Sequence, residues 1–181
     1  MELYEKTLEQ ETLYEGLIVN VRMDAAELPN GKRVRREVVE HPGGVTVAAL
    51  TPDGELLFVR QFRYPYGEVL LEIPAGKLEK GEDPRDCGIR ELKEETGAEA
   101  GIFESLGIFY PSPGYSGEKI YMFLARDLVF GEARPDEDEF LDMERISLDR
   151  AADMVLSGEI PDGKTMAAVL KVAEMRRRKL I

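Results

Sequence analysis

The stretch RELKEETG, Arg90 to Gly97, places Glu91, Glu94 and Glu95 within five residues. On a helix these stand at i, i+3 and i+4, so three carboxylates share one face within a single turn. They repel: two carboxylates about 6 Å apart at an effective dielectric of about 20 cost on the order of 3 kcal/mol before screening. Such a row is either a solvated acidic face, the commoner case, or a seat for a hard divalent cation, which takes oxygen ligands. The flank PAGKLEKGEDPRDCGI, Pro74 to Ile89, shifts the balance toward the cation. A glycine-bearing loop can turn a backbone carbonyl toward the same ion, and Glu82 adds a fourth acid beside the helix start.

The elements that must position these groups follow from turn and cap residues. Asp83-Pro84 suits the N-cap and first position of a helix that stops at Gly97, with Ile89 and Leu92 supplying its apolar side beside the small Gly88. Upstream, 17–28 and 33–40 flank Asn30-Gly31 and predict an opening hairpin. VTVAAL and ELLFVRQF around the turn TPDG predict a second, more buried hairpin, followed by a short strand LLEIP. Further strands are expected at SLGIFY, KIYMFLARDL and FLDMERIS, then two helices, LDRAADMVLSG and GKTMAAVLKVAEMRRRKL, the last with Met166, Val169, Leu170 and Ala173 on one face. This order predicts α+β or an α/β/α sandwich rather than a doubly wound parallel sheet.

The 181 residues, 43% hydrophobic and 33% charged, fit one domain with a full core and an extra arm. One cysteine, Cys87, and one histidine, His41, exclude a disulfide framework, multi-cysteine zinc sites and most imidazole chemistry. A net charge of -12 argues against general nucleic-acid binding, although local basic clusters occur at 31–37 and 174–180. No apolar run reaches the roughly 18 residues needed to span a bilayer, and the charged start lacks the apolar core of a signal peptide, so no membrane association and a cytoplasmic location are expected.

GEIPDGKT, Gly158 to Thr165, satisfies the phosphate-loop pattern GxxxxGK[ST] letter for letter. Its context argues otherwise. A helix rather than a buried strand precedes it, Glu159 and Asp162 would face the phosphates, and Pro161 removes a donor. The segment reads as a helix C-cap, a turn and the start of the last helix, and Lys164→Ala is expected to have little effect.

Gly76, five residues, Glu82, seven residues, then Arg90-Glu91-Leu92-x-Glu94-Glu95-x-Gly97 and a small apolar residue resemble the Nudix box at every fixed position, with Ala98 smaller than the usual bulky aliphatic. The flanks VRQFRYP, LEIPAG, SPG and PDEDE extend the likeness over roughly 34–148. They resemble the ADP-ribose pyrophosphatase branch, in which a proline stands beyond the box, the place filled here by Pro113.

The resemblance implies a Nudix-type α/β/α sandwich with a mixed sheet at 43–181, and an N-terminal antiparallel β arm at 1–42 that forms a homodimer. It implies hydrolysis of ADP-ribose to AMP and ribose 5-phosphate, or of another nucleoside diphosphate sugar or oxidised nucleotide, with two or three Mg2+ (or Mn2+) ions. A non-catalytic nucleotide sensor is the reading from another class. Carried over by position, Glu91, Glu95 and the Ala75 carbonyl resemble the metal ligands, with Glu94 as a further ligand direct or through water. Arg90 and Glu82 resemble the pair that holds the glutamate helix to the loop. Glu139 or Glu137 would be the base. Arg63, Glu72, Arg36, Glu37, Pro113 and Gly114 resemble substrate-binding positions, and Tyr64, Tyr66, Tyr110 and Tyr115 are open either to stacking on adenine or to packing.

Overall fold

A computed structural model of the chain describes residues 3–135 and 140–181. The chain divides into two units, Met1–Gly43 with Tyr110–Lys119, and Gly44–Phe109 with Ile120–Ile181. In the first, β1 (Lys6–Glu15), β2 (Asn20–Glu27) and β3 (Arg33–Glu40) form an antiparallel sheet in the order β1-β2-β3. Gly31 takes a positive φ of 80° in the turn between β2 and β3, which is why the Asn-Gly dipeptide stands there. The expected opening hairpin is therefore present. β1 was not foreseen, since all ten of its residues are exposed and its sequence carries no alternation of buried and polar positions. Residues 110–119 join this unit: Val39 N donates to Tyr115 O (2.8 Å) and Gly117 N to Val39 O (2.9 Å).

The second unit holds β4 (Gly44–Ala49), β5 (Glu55–Arg63), β6 (Glu68–Glu72), β7 (Ala75–Lys77), α1 (Pro84–Thr96), β8 (Ala98–Phe109), β9 (Ile120–Phe130), β10 (Asp142–Ser147), α2 (Leu148–Ser157) and α3 (Gly163–Arg177). β7-β4-β9-β8 form a mixed sheet in which β4 and β9 run parallel, and β10-β5-β6 form an antiparallel one. Every residue of β4 is buried, as a strand covered on both faces requires. Val45, Val47 and Ala49 pack with Cys87 and Leu92 of α1, while Ala48 packs with Leu148, Ala151 and Val155 of α2 and Ala168, Val169 and Val172 of α3. β9 splits in the same way, Phe123 and Ala125 toward the α1 cluster and Met122 and Leu124 toward the α2/α3 cluster. This is an α/β/α sandwich.

Three sequence expectations change. The TPDG turn closes, with Thr51 N donating to Glu55 O at 2.8 Å, but β4 and β5 belong to different sheets, because β7 and β9 occupy both edges of β4. The buried face of α3 is Thr165, Ala168, Val169 and Val172, with Leu170 exposed. On α1 the apolar side is Cys87 and Leu92, and Ile89 is exposed.

Candidate active site

α1 begins where Asp83 caps it, its side chain accepting from Arg85 N (2.8 Å), and ends at Gly97 in the left-handed conformation (φ 68°), whose N–H donates to Lys93 O. Its core face is held close to β8 and β9. A Cβ at Gly88 would meet the Phe103 ring at 2.9 Å, and Phe103 stacks on Phe123 with centroids 4.8 Å apart. This packing carries two glutamates inward: Glu91 is 7% and Glu95 4% exposed. Room for Glu91 comes from Gly76 on β7, where any Cβ would overlap the Glu91 carboxyl group. Glu95 Oε2 accepts from Ala75 N (3.1 Å). Helix and loop thus meet through carboxylate-to-backbone contacts.

Arg90 answers part of the repulsion. Its Nε and Nη2 donate to Glu82 (3.0 and 3.2 Å), and its Nη1 lies 2.8 Å from both Glu91 Oε1 and Glu94 Oε2. The Arg90 hydrogen bonds hold Glu82 well below the usual carboxylate range, at about 2, and the Glu82 bond foremost pushes Arg90 upward. Glu82, Glu91 and Glu94 thus share one guanidinium. Cys87, buried beneath this face, has its thiol pushed up to about 12, chiefly by burial, and is inert packing.

Near the same helix face, Arg63 on β5 donates from Nε and Nη2 to the two oxygens of Glu72 (2.6 and 2.7 Å). Glu72, at the end of β6, is 1% exposed. Burial works against its charge, but the contacts with Arg63 and Lys164 outweigh that and hold it ionised. Arg63 is raised chiefly by Glu72, with Asp162 and Glu95 adding to it, which places Arg63 in the electrostatic neighbourhood of the glutamate helix. Lys164, set aside with the phosphate-loop pattern, is a partner of Glu72 through Nζ. The turn reading of that segment stands, since Gly158 caps α2 and Asp162 caps α3. The expectation that Lys164 is dispensable loses its footing.

The remaining candidates fall elsewhere. Arg36 and Glu37 lie on β3, and Pro113 and Gly114 in the exposed loop, all in the first unit; Arg36 makes a two-point contact with Glu5 (3.0 and 2.9 Å). Glu137 and Glu139 lie outside the described residues. The chain leading to them is fastened to the end of α1, with Gly131 N donating to Gly97 O (2.7 Å) and Arg134 N to Glu94 O (2.8 Å). Tyr64, Tyr66, Tyr110 and Tyr115 are all exposed.

Among the described residues no group of three or more His, Cys, Asp and Glu side chains is arranged as a metal cage. The donor chemistry nonetheless fits a hard divalent cation: the carboxylate oxygens of Glu91, Glu94 and Glu95 on one helix, and a glycine on β7 whose missing side chain lets a carboxyl group lie against backbone. No helix among the described residues is long and apolar enough to cross a membrane.

An α/β/α sandwich that presents a glutamate-bearing helix to a glycine loop defines a carboxylate site suited to cation-assisted phosphate chemistry. The NUDIX domain matches residues 40–169, and the nucleoside diphosphate sugar hydrolase N-terminal domain matches residues 5–39. An ADP-ribose pyrophosphatase of Bacillus subtilis (strain 168) is 44% identical over 169 residues, covering 92% of this chain and 91% of that one. A methanol dehydrogenase activator of Bacillus methanolicus is 45% identical over 167 residues, covering 91% and 90%. A solved structure, the crystal structure of an ADP compounds hydrolase, aligns with a TM-score of 0.86 at 24% identity over 99% of this chain and 98% of that one, a likeness of fold. The chain belongs to the NUDIX family of hydrolases, whose members generally use divalent cations.

Proposed function

We propose that this protein hydrolyses the diphosphate of ADP-ribose to AMP and ribose 5-phosphate, with magnesium as the cation. The observation that carries the reading is the burial of Glu91 and Glu95 against Gly76 and Ala75. Buried carboxylates need partners, here Arg90 beside Glu91 and the Ala75 N–H on Glu95, and carboxylate oxygens are the ligands that a hard cation takes. The 44% identity to an ADP-ribose pyrophosphatase supports the choice of substrate.

Glu91, Glu95 and the Ala75 carbonyl would hold the cation, and Glu94 would add a ligand directly or through water. When bound, a divalent cation offsets diphosphate charge and lowers the pKa of water. Arg90 and Glu82 fix the carboxylates in place, as groups behind a ligand set do. Arg63, oriented by Glu72, binds the diphosphate. Glu139 takes the proton of the attacking water. Glu139→Gln is expected to depress kcat by about a hundredfold or more, the scale of a lost general base, with magnesium activation unchanged; the same result from Glu137→Gln alone would move the role there.

The test is Glu95→Gln, expected to cut kcat for ADP-ribose by orders of magnitude with an unchanged far-UV circular dichroism spectrum. Wild-type rates at saturating Mg2+ would overturn the assignment. A second reading, a nucleotide-binding regulator without turnover, has support in the similarity to a methanol dehydrogenase activator. It predicts ligand binding with no product.

A further inference from the structure

We infer that Lys164 is a positioning residue for the substrate diphosphate: by sharing the buried Glu72 carboxylate, it offsets negative charge behind Arg63 and so strengthens the hold of that guanidinium on the phosphates. The inference rests on the proposed hydrolysis and deepens it. A guanidinium seated at two points on a carboxylate forms a nearly neutral pair, whose attraction for an anion fades quickly with distance. Arg63 is seated in this way, at 2.6 and 2.7 Å. Alone with Glu72 it would offer a phosphate little more than a dipole.

Lys164 changes that balance. Its Nζ contacts Glu72 Oε2, and with Glu72 1% exposed and the Lys164 side chain 12% exposed, water screens the contact poorly. One buried carboxylate then serves two cations. Lys164 also lies 3.0 Å from Asp162 Oδ2, but that carboxylate is already engaged. It caps α3, accepting from Thr165 N (3.0 Å) and Thr165 Oγ1 (2.6 Å), where the positive end of the helix dipole opposes its charge. The Arg63, Glu72, Lys164 and Asp162 group is formally neutral, two cations against two carboxylates, and without Lys164 it would be negative; the lysine thus removes negative charge from behind Arg63, whose side chain is 35% exposed.

A purely structural role for Lys164 is already filled by its neighbour. Thr165 Oγ1 accepts from Ile73 N (3.1 Å), which ties the start of α3 to the chain just after β6 without any charge. Glu72 lies three residues before Ala75, whose N–H reaches Glu95, so the lysine network and the glutamate helix act on the same short run of chain.

The test compares full-length wild type with K164Q, which can keep a hydrogen bond to Glu72 but loses the charge, K164M and K164R. ADP-ribose turnover with Mg2+, thermal unfolding, and calorimetric binding of ADP-ribose with Ca2+ in place of Mg2+ are measured for each. K164Q and K164M are expected to raise KM and Kd about tenfold with kcat within about twofold and the Mg2+ activation curve unchanged, and K164R to restore both to within about twofold of wild type. If K164M fails to fold, K164Q alone decides. A lowered melting temperature with unchanged KM, a fall in kcat at unchanged KM, or K164R as impaired as K164Q would overturn the inference. Absence of wild-type turnover would sink the hydrolytic reading by itself. The Ca2+ binding arm then decides for Lys164: tenfold weaker binding by K164Q supports it, and equal binding, or none by wild type, overturns it.

Discussion

A methyl group at Gly76 would enter the space that the Glu91 carboxyl fills. The glycine therefore sets how closely β7 and the helix approach. Gly76→Ala is expected to displace Glu91 and lower kcat by about a hundredfold, the scale of a small misplacement at a reacting centre, while circular dichroism shows the fold retained; an unchanged kcat would mean that Glu91 does not act from this position. At this scale the sequence is most informative where chemistry is local. Glu91, Glu94 and Glu95 are legible from spacing because helix geometry fixes their shared face, whereas the inward turn of Glu91 and Glu95 is not, since it depends on Gly76 and Ala75 in another element. Lys164 escaped because its partner Glu72 lies 92 positions away, and no local rule links the start of α3 to the end of β6.

The element that carries the site is α1, fastened at its start by Asp83, at its end by Gly97, and sideways by the Arg90–Glu82 contact to the loop. That contact has a pH signature. Folding lowers Glu82 from an ordinary 4.5 to about 2, through the Arg90 bond above all, so the folded state binds this proton less tightly than the unfolded one. Its stabilisation is complete above about pH 4.5 and is lost as the pH falls toward 2. Denaturant titrations of wild type and Glu82→Gln should show a stability gap that narrows over that range; a gap constant with pH would contradict the assignment. α1 was legible because both of its ends carry cap residues with a physical reason to be there. β1 was not, because ten exposed residues leave no burial pattern to read. The misassigned β4–β5 hairpin has a related cause. TPDG specifies a turn, yet which strands fill the edges of β4 is decided by the pairing with β7 and β9, which turn chemistry does not encode.

For the molecule as a whole, a net charge of -12 repels a diphosphate at long range, so binding must rest on local cations and a bound metal ion. On the proposed reading Arg63 with Lys164 supplies the first, and the carboxylates of α1 would hold the second. The order of elements left α+β and an α/β/α sandwich open, because strands followed by a capped helix and then terminal helices have few ways to bury their apolar faces, and the Nudix resemblance narrowed these to the sandwich. The role of β1 was not legible, since it carries its exposed Leu8, Leu13 and Tyr14 without a buried pattern to read. The most direct measurement is to incubate the purified protein with a panel of nucleoside diphosphate sugars, with Mg2+ and with chelator, and identify the products by mass spectrometry. The account predicts AMP and ribose 5-phosphate from ADP-ribose, faster than from the other substrates and only with the metal. Binding of ADP-ribose with no product from any member, or equal product in chelator, would contradict it.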